Sequence, residues 1–364
     1  MFFIMDFREI LSNFKIDGDI TSVKLFGAGH INETYLVSTT LTSYILQSLN
    51  TKVFENYVGV MNNIELVTSF QKKQYEKQGK DVSKLLYLIK TIDNKSFLYK
   101  DDKCYRMFNF VKDSVVFQQT DDLFVLNQAG YGLGNFIATL DEFDATSIKE
   151  IIPNFHNTKK RFEDFKRAVK EDRAYRAASV KKDIEFVLER EEYCSIIVDK
   201  IASKEIPLRV THNDTKLNNF MFDEKTHKFV CLIDLDTIMP GSLLYDFGDA
   251  IRIAASTAGE EERDLNKVKF NIENYEAFLK GFLEGVGNKI TKQEALLLHI
   301  SAKIMTFEIG MRFLMDYLDG DIYFKVKEED MNLVRARTQL KMVSQIEQNE
   351  KEMEKILYKY YNNK

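Results

Sequence analysis

Cysteine is scarce in this chain. Cys104, Cys194 and Cys231 are the three in 364 residues, widely spaced and with no CxxC pair. An odd, scattered set offers neither a disulfide framework nor a thiolate zinc site. A reducing, cytoplasmic compartment is the expectation that follows. Long apolar runs are missing too, since none approaches the roughly 18 residues of a membrane span. The opening stretch MFFIMDFREIL has no basic head, and Asp6 and Glu9 interrupt its apolar residues. It predicts a buried amphipathic helix rather than a signal peptide. Charge of one sign is not in excess either. The 51 Lys and Arg against 56 Asp and Glu leave a formal charge of −5, which gives no electrostatic case for a nucleic-acid partner. Internal repeats, low-complexity segments and any oligomerisation signal are absent. What remains is ordinary for a soluble globular protein of one large domain or two medium ones: 45% hydrophobic and 29% charged residues.

The pattern of apolar residues changes near residue 112. Before it the chain reads as α+β. SVKLFGAGHINETYLVST is a hairpin closed by glycines, and SYILQSLN is a further strand. Residues 54–78 carry Val60, Ile64, Val67 and Phe70 at helical spacing. Short strands with polar turns follow. After it Leu126, Ala129, Leu133, Phe136, Ile137 and Leu140 recur at helical spacing, and charged amphipathic stretches cover 159–178 and 181–203. One β interruption, NNFMFDEKTHKFVCLIDLD, predicts a hairpin inside this helical half. The stretch 341–359 predicts a solvated amphipathic helix. The plan is a small β-rich N-terminal lobe over 1–110 and a larger helical lobe over 111–364. A cleft between them is where a small molecule would bind.

The chemistry concentrates in VTHNDTKLNNFMFD. His212, Asp214, Lys216 and Asn219 share one loop, and Asp234 follows at the end of the next hairpin strand, in IDLD. Phosphoryl transfer from ATP needs a carboxylate to orient or deprotonate a hydroxyl, a cation near the γ-phosphate, and oxygen ligands for Mg²⁺. Asp214 suits the first role and Lys216 the second. Asn219 and Asp234 suit the third, because Mg²⁺ takes hard oxygen ligands and keeps several waters. The arrangement is similar to the catalytic loop and metal-binding Asp of protein kinases. The plainer alternative is a polar turn capped by Asp and Asn. It fits VCLID less well, where apolar residues deliver Asp234 from a buried strand. Upstream, FGAGHINETY places Gly27 and Gly29 where backbone amides could approach phosphates. A simple hairpin turn is the alternative there.

These segments, with YILQSLN, YRMFNFV, IPNFHNT, IDLDTIMPGSLLYDFGDAIR and MRFLMDYLDGDIYF, resemble the aminoglycoside phosphotransferase/choline kinase-like small-molecule kinases. Within them the chain looks most like the N-acetylhexosamine 1-kinase group. HNDTK and DLDTIMPG stand where other members carry patterns such as HGDxxxxN and IDWE. The resemblance runs from residue 27 to 324. It implies a protein-kinase-like bilobal fold, ATP and Mg²⁺, and phosphorylation of the anomeric hydroxyl of N-acetylglucosamine or N-acetylgalactosamine. By motif position it implies Asp214 as base, Asn219 and Asp234 as Mg²⁺ ligands, and sugar contacts from His30, Asp214, Thr237 and Arg312. Adenine would lie along Phe108 to Val111, with Asn109 and Val111 at its edge. Related acceptors (choline, homoserine, methylthioribose, an aminoglycoside) remain the alternative.

Several residues carry a second reading. Gln47 stands where protein kinases place a lysine, and an amide has no charge for the α- and β-phosphates. Glu65 on the following helix is a candidate partner for it, or a surface Glu. His30 could be a turn residue. Arg312 could pair with Asp316 one helical turn on. Asp246 and Asp249 read as caps at a helix N-terminus.

Overall fold

The computed structural model describes residues 2–27, 32–51 and 54–362, with side chains from Phe7 on. Its first half is built on alternating strands joined by tight polar turns. A helix, α1 (Phe2–Leu11), precedes β1 (Ile20–Leu25), β2 (Glu33–Thr39) and β3 (Ser43–Leu49). Next come α2 (Tyr57–Lys77), β4 (Leu88–Ile89), β5 (Leu98–Lys100) and β6 (Lys103–Asn109). All pair antiparallel in one six-stranded sheet of order β1-β2-β3-β6-β4, with β5 on the other part of β6. One face of the sheet closes over Val23, Val37, Leu46 and Met107 and takes Ile10 and Leu11 of α1 into the same cluster. The other face packs α2, which buries Val60, Met61, Ile64 and Val67. The α2 helix starts where Asn56 accepts the Gly59 amide at 3.1 Å, an ordinary N-cap.

The second half is helical. It contains β7 (Ser114–Val115), α3 (Leu123–Thr139), α4 (Thr158–Glu171), α5 (Lys181–Leu188) and α6 (Tyr193–Ala202). The short strands β8 (Arg209–Thr211), β9 (Phe220–Asp223), β10 (Phe229–Leu232) and β11 (Met239–Gly241) interrupt it, and α7 (Leu243–Ala254), α8 (Ile272–Val286), α9 (Lys292–Asp319) and α10 (Met331–Tyr361) complete it. The architecture is therefore mixed, a β-rich N-terminal region on a helical C-terminal one, as the patterning implies. The interruption after α6 is a hairpin, β9 pairing β10. The stretch 341–359 departs from expectation. It belongs to a longer helix, α10, whose Val343, Ile346, Met353, Ile356 and Leu357 are buried. Its charged residues cover one face only, and the other completes the helical core.

Helices α3 and α8 approach backbone to backbone. A Cβ on Gly281 would stand 1.9 Å from the Asn127 carbonyl oxygen, and one on Gly130 2.0 Å from that of Phe278. Alanine would raise helix propensity by about 1 kcal/mol, but a backbone oxygen cannot turn aside as a side chain can. Overpacking, typically about 1–3 kcal/mol, decides the sign. Gly281→Ala should therefore lower unfolding stability in a urea titration by about that range. Gly259→Ala, with nothing within 4 Å, should stay within about 0.5 kcal/mol of the parent. Equal stability of the two variants would contradict the close approach.

Candidate active site

Two segments distant in sequence meet because β8 and β11 pair, with Thr211 opposite Met239. The first leads into the loop that holds Asp214, and the second leaves the turn that holds Asp234. The Ile233 amide donates to the Asn219 carbonyl at 2.9 Å, which sets the two metal-ligand candidates side by side. His212 is fully buried and joins the same parts. The Asp214 amide donates to its Nδ1 at 3.3 Å, so the proton sits on Nε2, which donates to the Ile233 carbonyl at 2.9 Å. Asn213 and Asp234 both adopt the left-handed conformation, φ 64° and 59°, which Asn and Asp tolerate better than other non-glycine residues.

Helix α7 holds this loop from below. Its N-cap is Ser242, whose hydroxyl accepts the Leu244 amide at 3.3 Å. Asp246 and Asp249 are therefore not caps, contrary to the sequence reading. Asp246 accepts the His212 and Asn213 amides on its two oxygens, at 2.8 and 2.7 Å. Asp249 accepts the Thr215 amide at 3.1 Å and pairs with Arg252 at 2.8 Å. Burial pushes the Asp246 carboxyl up to about 6, against the pull of His212 and the two amides. Burial opposes the Asp249 charge as well, but Arg252 and then Lys216 outweigh it and leave its pKa below the ordinary value.

The predicted catalytic groups converge above this support. Lys216 Nζ lies 3.1 Å from Asp214 Oδ1. Asn219 Nδ2 donates to Asp214 Oδ2 at 3.1 Å and to the Asp214 carbonyl at 2.8 Å. Enclosure works against the Lys216 charge, yet Asp214, Asp249 and Glu260 together hold its pKa above the ordinary lysine value. The Thr237 hydroxyl donates to the His212 carbonyl at 2.6 Å, and its own carbonyl accepts from Asn213 Nδ2 at 2.8 Å. Asp234 is exposed to solvent, while the surrounding protein crowds it at longer range. Its pKa is raised by that enclosure first and by Asp236 and Asp214 next, against Arg106 and Lys216. Neither the Asp234 carboxylate nor Asn219 Oδ1 accepts a hydrogen bond from any described residue. An anion in this condition, with a free amide oxygen beside it, is the donor set a hard dication would relieve.

Other assignments land differently. Gly29 and His30 lie outside the described residues, and Gly27, φ 76°, follows the first strand, where a Cβ would meet no described atom within 4 Å. The Asn109 side chain is engaged with the segment before β4, accepting the Tyr87 amide and donating to the Leu85 carbonyl, both at 2.8 Å. Beyond it the Val111 amide has no partner among the described residues, which leaves one donor for an adenine edge. Glu65 does not meet Gln47 but pairs with Lys90 and Ser96. Arg312 does not pair with Asp316, whose oxygens cap the chain beyond α9 through the amides of Ile322, Tyr323 and Phe324 at 2.8–3.0 Å. Arg312 is buried, its guanidinium 5.4–5.6 Å from the ring centres of Phe155, Tyr323 and Phe324.

Sequence reasoning missed three groups. Arg106 on β6 lies directly opposite Gln47 on β3. Its Nε donates to Gln47 Oε1 at 2.9 Å, and its two terminal nitrogens bind both oxygens of Asp236. A charged residue inside the apolar run CYRMFNF was the available signal. Asn63 on α2 binds the Lys149 and Ile238 carbonyls at 2.7 and 2.9 Å, with nothing in its sequence context to mark it. His156 binds Glu308 at 2.7 Å through Nδ1, while its buried Nε2 has no hydrogen-bond partner among the described residues.

Comparison with known proteins agrees with the mixed architecture. The profile of the phosphotransferase enzyme family matches residues 22–278. The fold is similar to that of a spectinomycin phosphotransferase solved with ADP and spectinomycin. The TM-score is 0.57 at 12% identity over 94% of this chain and 98% of that one. It is also similar to choline kinase from Cryptosporidium parvum, TM-score 0.56 at 13% identity over 100% and 98%. A microcompartment-associated aminopropanol kinase gives 0.55 at 12% over 96% and 98%.

Asn at position 246 would offer one acceptor where two loop amides need one each. Leaving a buried donor unpaired costs about 1–3 kcal/mol. Asp246→Asn should lose stability in that range and lower kcat more than tenfold through a displaced Asp214. Thermal melts and steady-state kinetics check both, and a fully active, equally stable variant would refute the support role.

Proposed function

The chain belongs to the phosphotransferase enzyme family, with the aminoglycoside phosphotransferase/choline kinase-like fold, and from that premise we propose that it moves the γ-phosphoryl group of ATP to the anomeric C1 hydroxyl of an N-acetylhexosamine. The observation that carries the transfer is the convergence of Asp214, Lys216, Asn219 and Asp234 on one side of the loop that α7 supports. Asp214 orients the acceptor hydroxyl and takes its proton. A sugar's anomeric hydroxyl is more acidic than an ordinary alcohol, so a carboxylate is a sufficient base. Asn219, by donating to one oxygen of Asp214, leaves the other for the acceptor or for Lys216. Lys216, held protonated, faces the transferring group, where a loose transition state spreads charge over oxygens. Asn219 Oδ1 and Asp234 would hold Mg²⁺, which neutralises phosphate charge when bound. The Val111 amide would meet the adenine edge.

The acceptor reading draws on the motif resemblance and on Arg312. A choline site presents an aromatic cage to a cation. Here the aromatic group of Phe155, Tyr323 and Phe324 already surrounds the protein's own guanidinium. A second, Arg161, stands near enough that Arg312 adds to burial in lowering its pKa. Two neighbouring guanidiniums favour an acceptor rich in hydroxyl and carbonyl oxygens over an amine or a quaternary ammonium.

An ATP-consumption screen over N-acetylglucosamine, N-acetylgalactosamine, glucose, choline and kanamycin should give turnover with an N-acetylhexosamine, and NMR should place the phosphate on C1. Turnover with choline alone, or phosphate on C6, would overturn the reading. On the preferred sugar, Asp214→Asn should lower kcat by about 100-fold or more, and near-parental activity would remove Asp214 from its role.

A further inference from the structure

The strand position that holds a lysine in protein kinases holds Gln47 here, and the charge has moved one strand over. Arg106 stands across from Gln47 in register and is 1% exposed. It turns its fork onto Asp236, two residues after the metal-ligand candidate Asp234. Asp236 also accepts Asn32 Nδ2 at 2.8 Å, and Asn32 in turn accepts the Asn50 amide at 3.0 Å. Every hydrogen bond to the Asp236 carboxylate among the described residues thus comes from the N-terminal lobe, although Asp236 belongs to the C-terminal one. A second tie lies two residues on, where α2 reaches the Ile238 carbonyl through Asn63. The turn carrying Asp234 is left-handed at Asp234 itself, and the Asp234 side chain has no anchor of its own among the described residues. Its place is set by the residues after it.

We propose that Arg106 is a positioning residue for nucleotide-bound metal: through Asp236 it fixes the Asp234 turn against the N-terminal sheet, the task a lysine at position 47 would otherwise share with the phosphates. This rests on the metal role assigned above to Asp234. Gln47 has a matching part. Its Oε1 accepts Arg106 Nε and its Nε2 donates to Thr34 at 3.1 Å, so the amide aims the guanidinium where a lysine would repel it. Arginine suits this place because a planar fork binds a carboxylate on two points and stays charged when buried.

The test is calorimetric binding of ADP with and without Mg²⁺. It needs no acceptor, so a wrong sugar assignment can neither produce nor mask the result. Arg106→Met should weaken Mg²⁺·ADP binding by about 10–100-fold, the usual loss when a partner that orients a metal ligand is removed, and leave metal-free ADP binding little changed. Adding Gln47→Lys to that variant should recover most of the lost affinity, which a purely structural role for Arg106 would not allow. Should Arg106→Met fail to fold, Arg106→Lys keeps the buried charge without the fork and should show a smaller loss confined to the Mg²⁺ complex. Unchanged Mg²⁺·ADP binding, or equal loss with and without Mg²⁺, would overturn the proposal.

Discussion

One carboxylate, that of Asp246, accepts two consecutive backbone amides of the loop that holds Asp214, and most of the candidate site's geometry follows from it. A loop with His212, Asn213, Asp214 and Thr215 in succession has more polar groups than its own turns can satisfy. Hydrogen bonds to a charged acceptor contribute about 1.5–3 kcal/mol each, enough to hold Asn213 in a left-handed conformation. The cost appears as the raised pKa of a fully buried acid. The charge is tolerated because the two amides and His212 offset part of that burial, against the like charge of Asp249. Rigid support matters for a reaction in which the protein does little covalent chemistry and much positioning.

The helical core supplies that rigidity. Glycines at 130 and 281 let α3 and α8 touch at the backbone, and α7 rests on α9 through Gly248, where a Cβ would meet the Ser301 carbonyl at 2.4 Å. Close-packed helices of this kind leave α7 little freedom to tilt. The N-terminal lobe is attached differently. Its polar links to the Asp234 turn are Arg106 and Asn32 on Asp236, and Asn63 on Ile238. These directed hydrogen bonds fix the orientation of a seam whose apolar part, Val60, Ile64 and Val67 of α2 with Leu235 and Ile238, belongs to the main core. Charges paired across it are sensitive to loss of a single partner.

Several features of the site are legible in the order of residues alone. The HxDxKxxN spacing and the later Asp234 identify residues that do converge, because residues within one loop and at the end of the following hairpin have few other places to go. The helical spacings of α2 and α3 are equally plain. What fails are assignments of a polar group to a partner chosen by spacing or chain order. Asp246 near the start of a helix reads as a cap, yet the cap is Ser242 and the acid looks back to a loop 33 residues earlier. Arg312 and Asp316 sit at ideal spacing for an ion pair, yet Asp316 is taken by the amides beyond the helix and Arg312 by three aromatic rings. Glu65 reads as a candidate partner for Gln47, while Lys90 and Ser96 claim it.

The sequence by itself determined the alternation of strands and helices, the change near residue 112, and the residue types available for phosphoryl transfer. These are encoded in short spacings and periodicities, which act over a few residues. The tertiary structure alone decided where each charge is satisfied. Arg106 could have faced solvent, phosphate or carboxylate, and only the antiparallel register of β3 with β6, laid over the Asp234 turn, gives it Asp236. A buried charge must find its opposite wherever the fold brings one near, and that neighbour stands 130 residues away in the chain, beyond anything local pattern can specify.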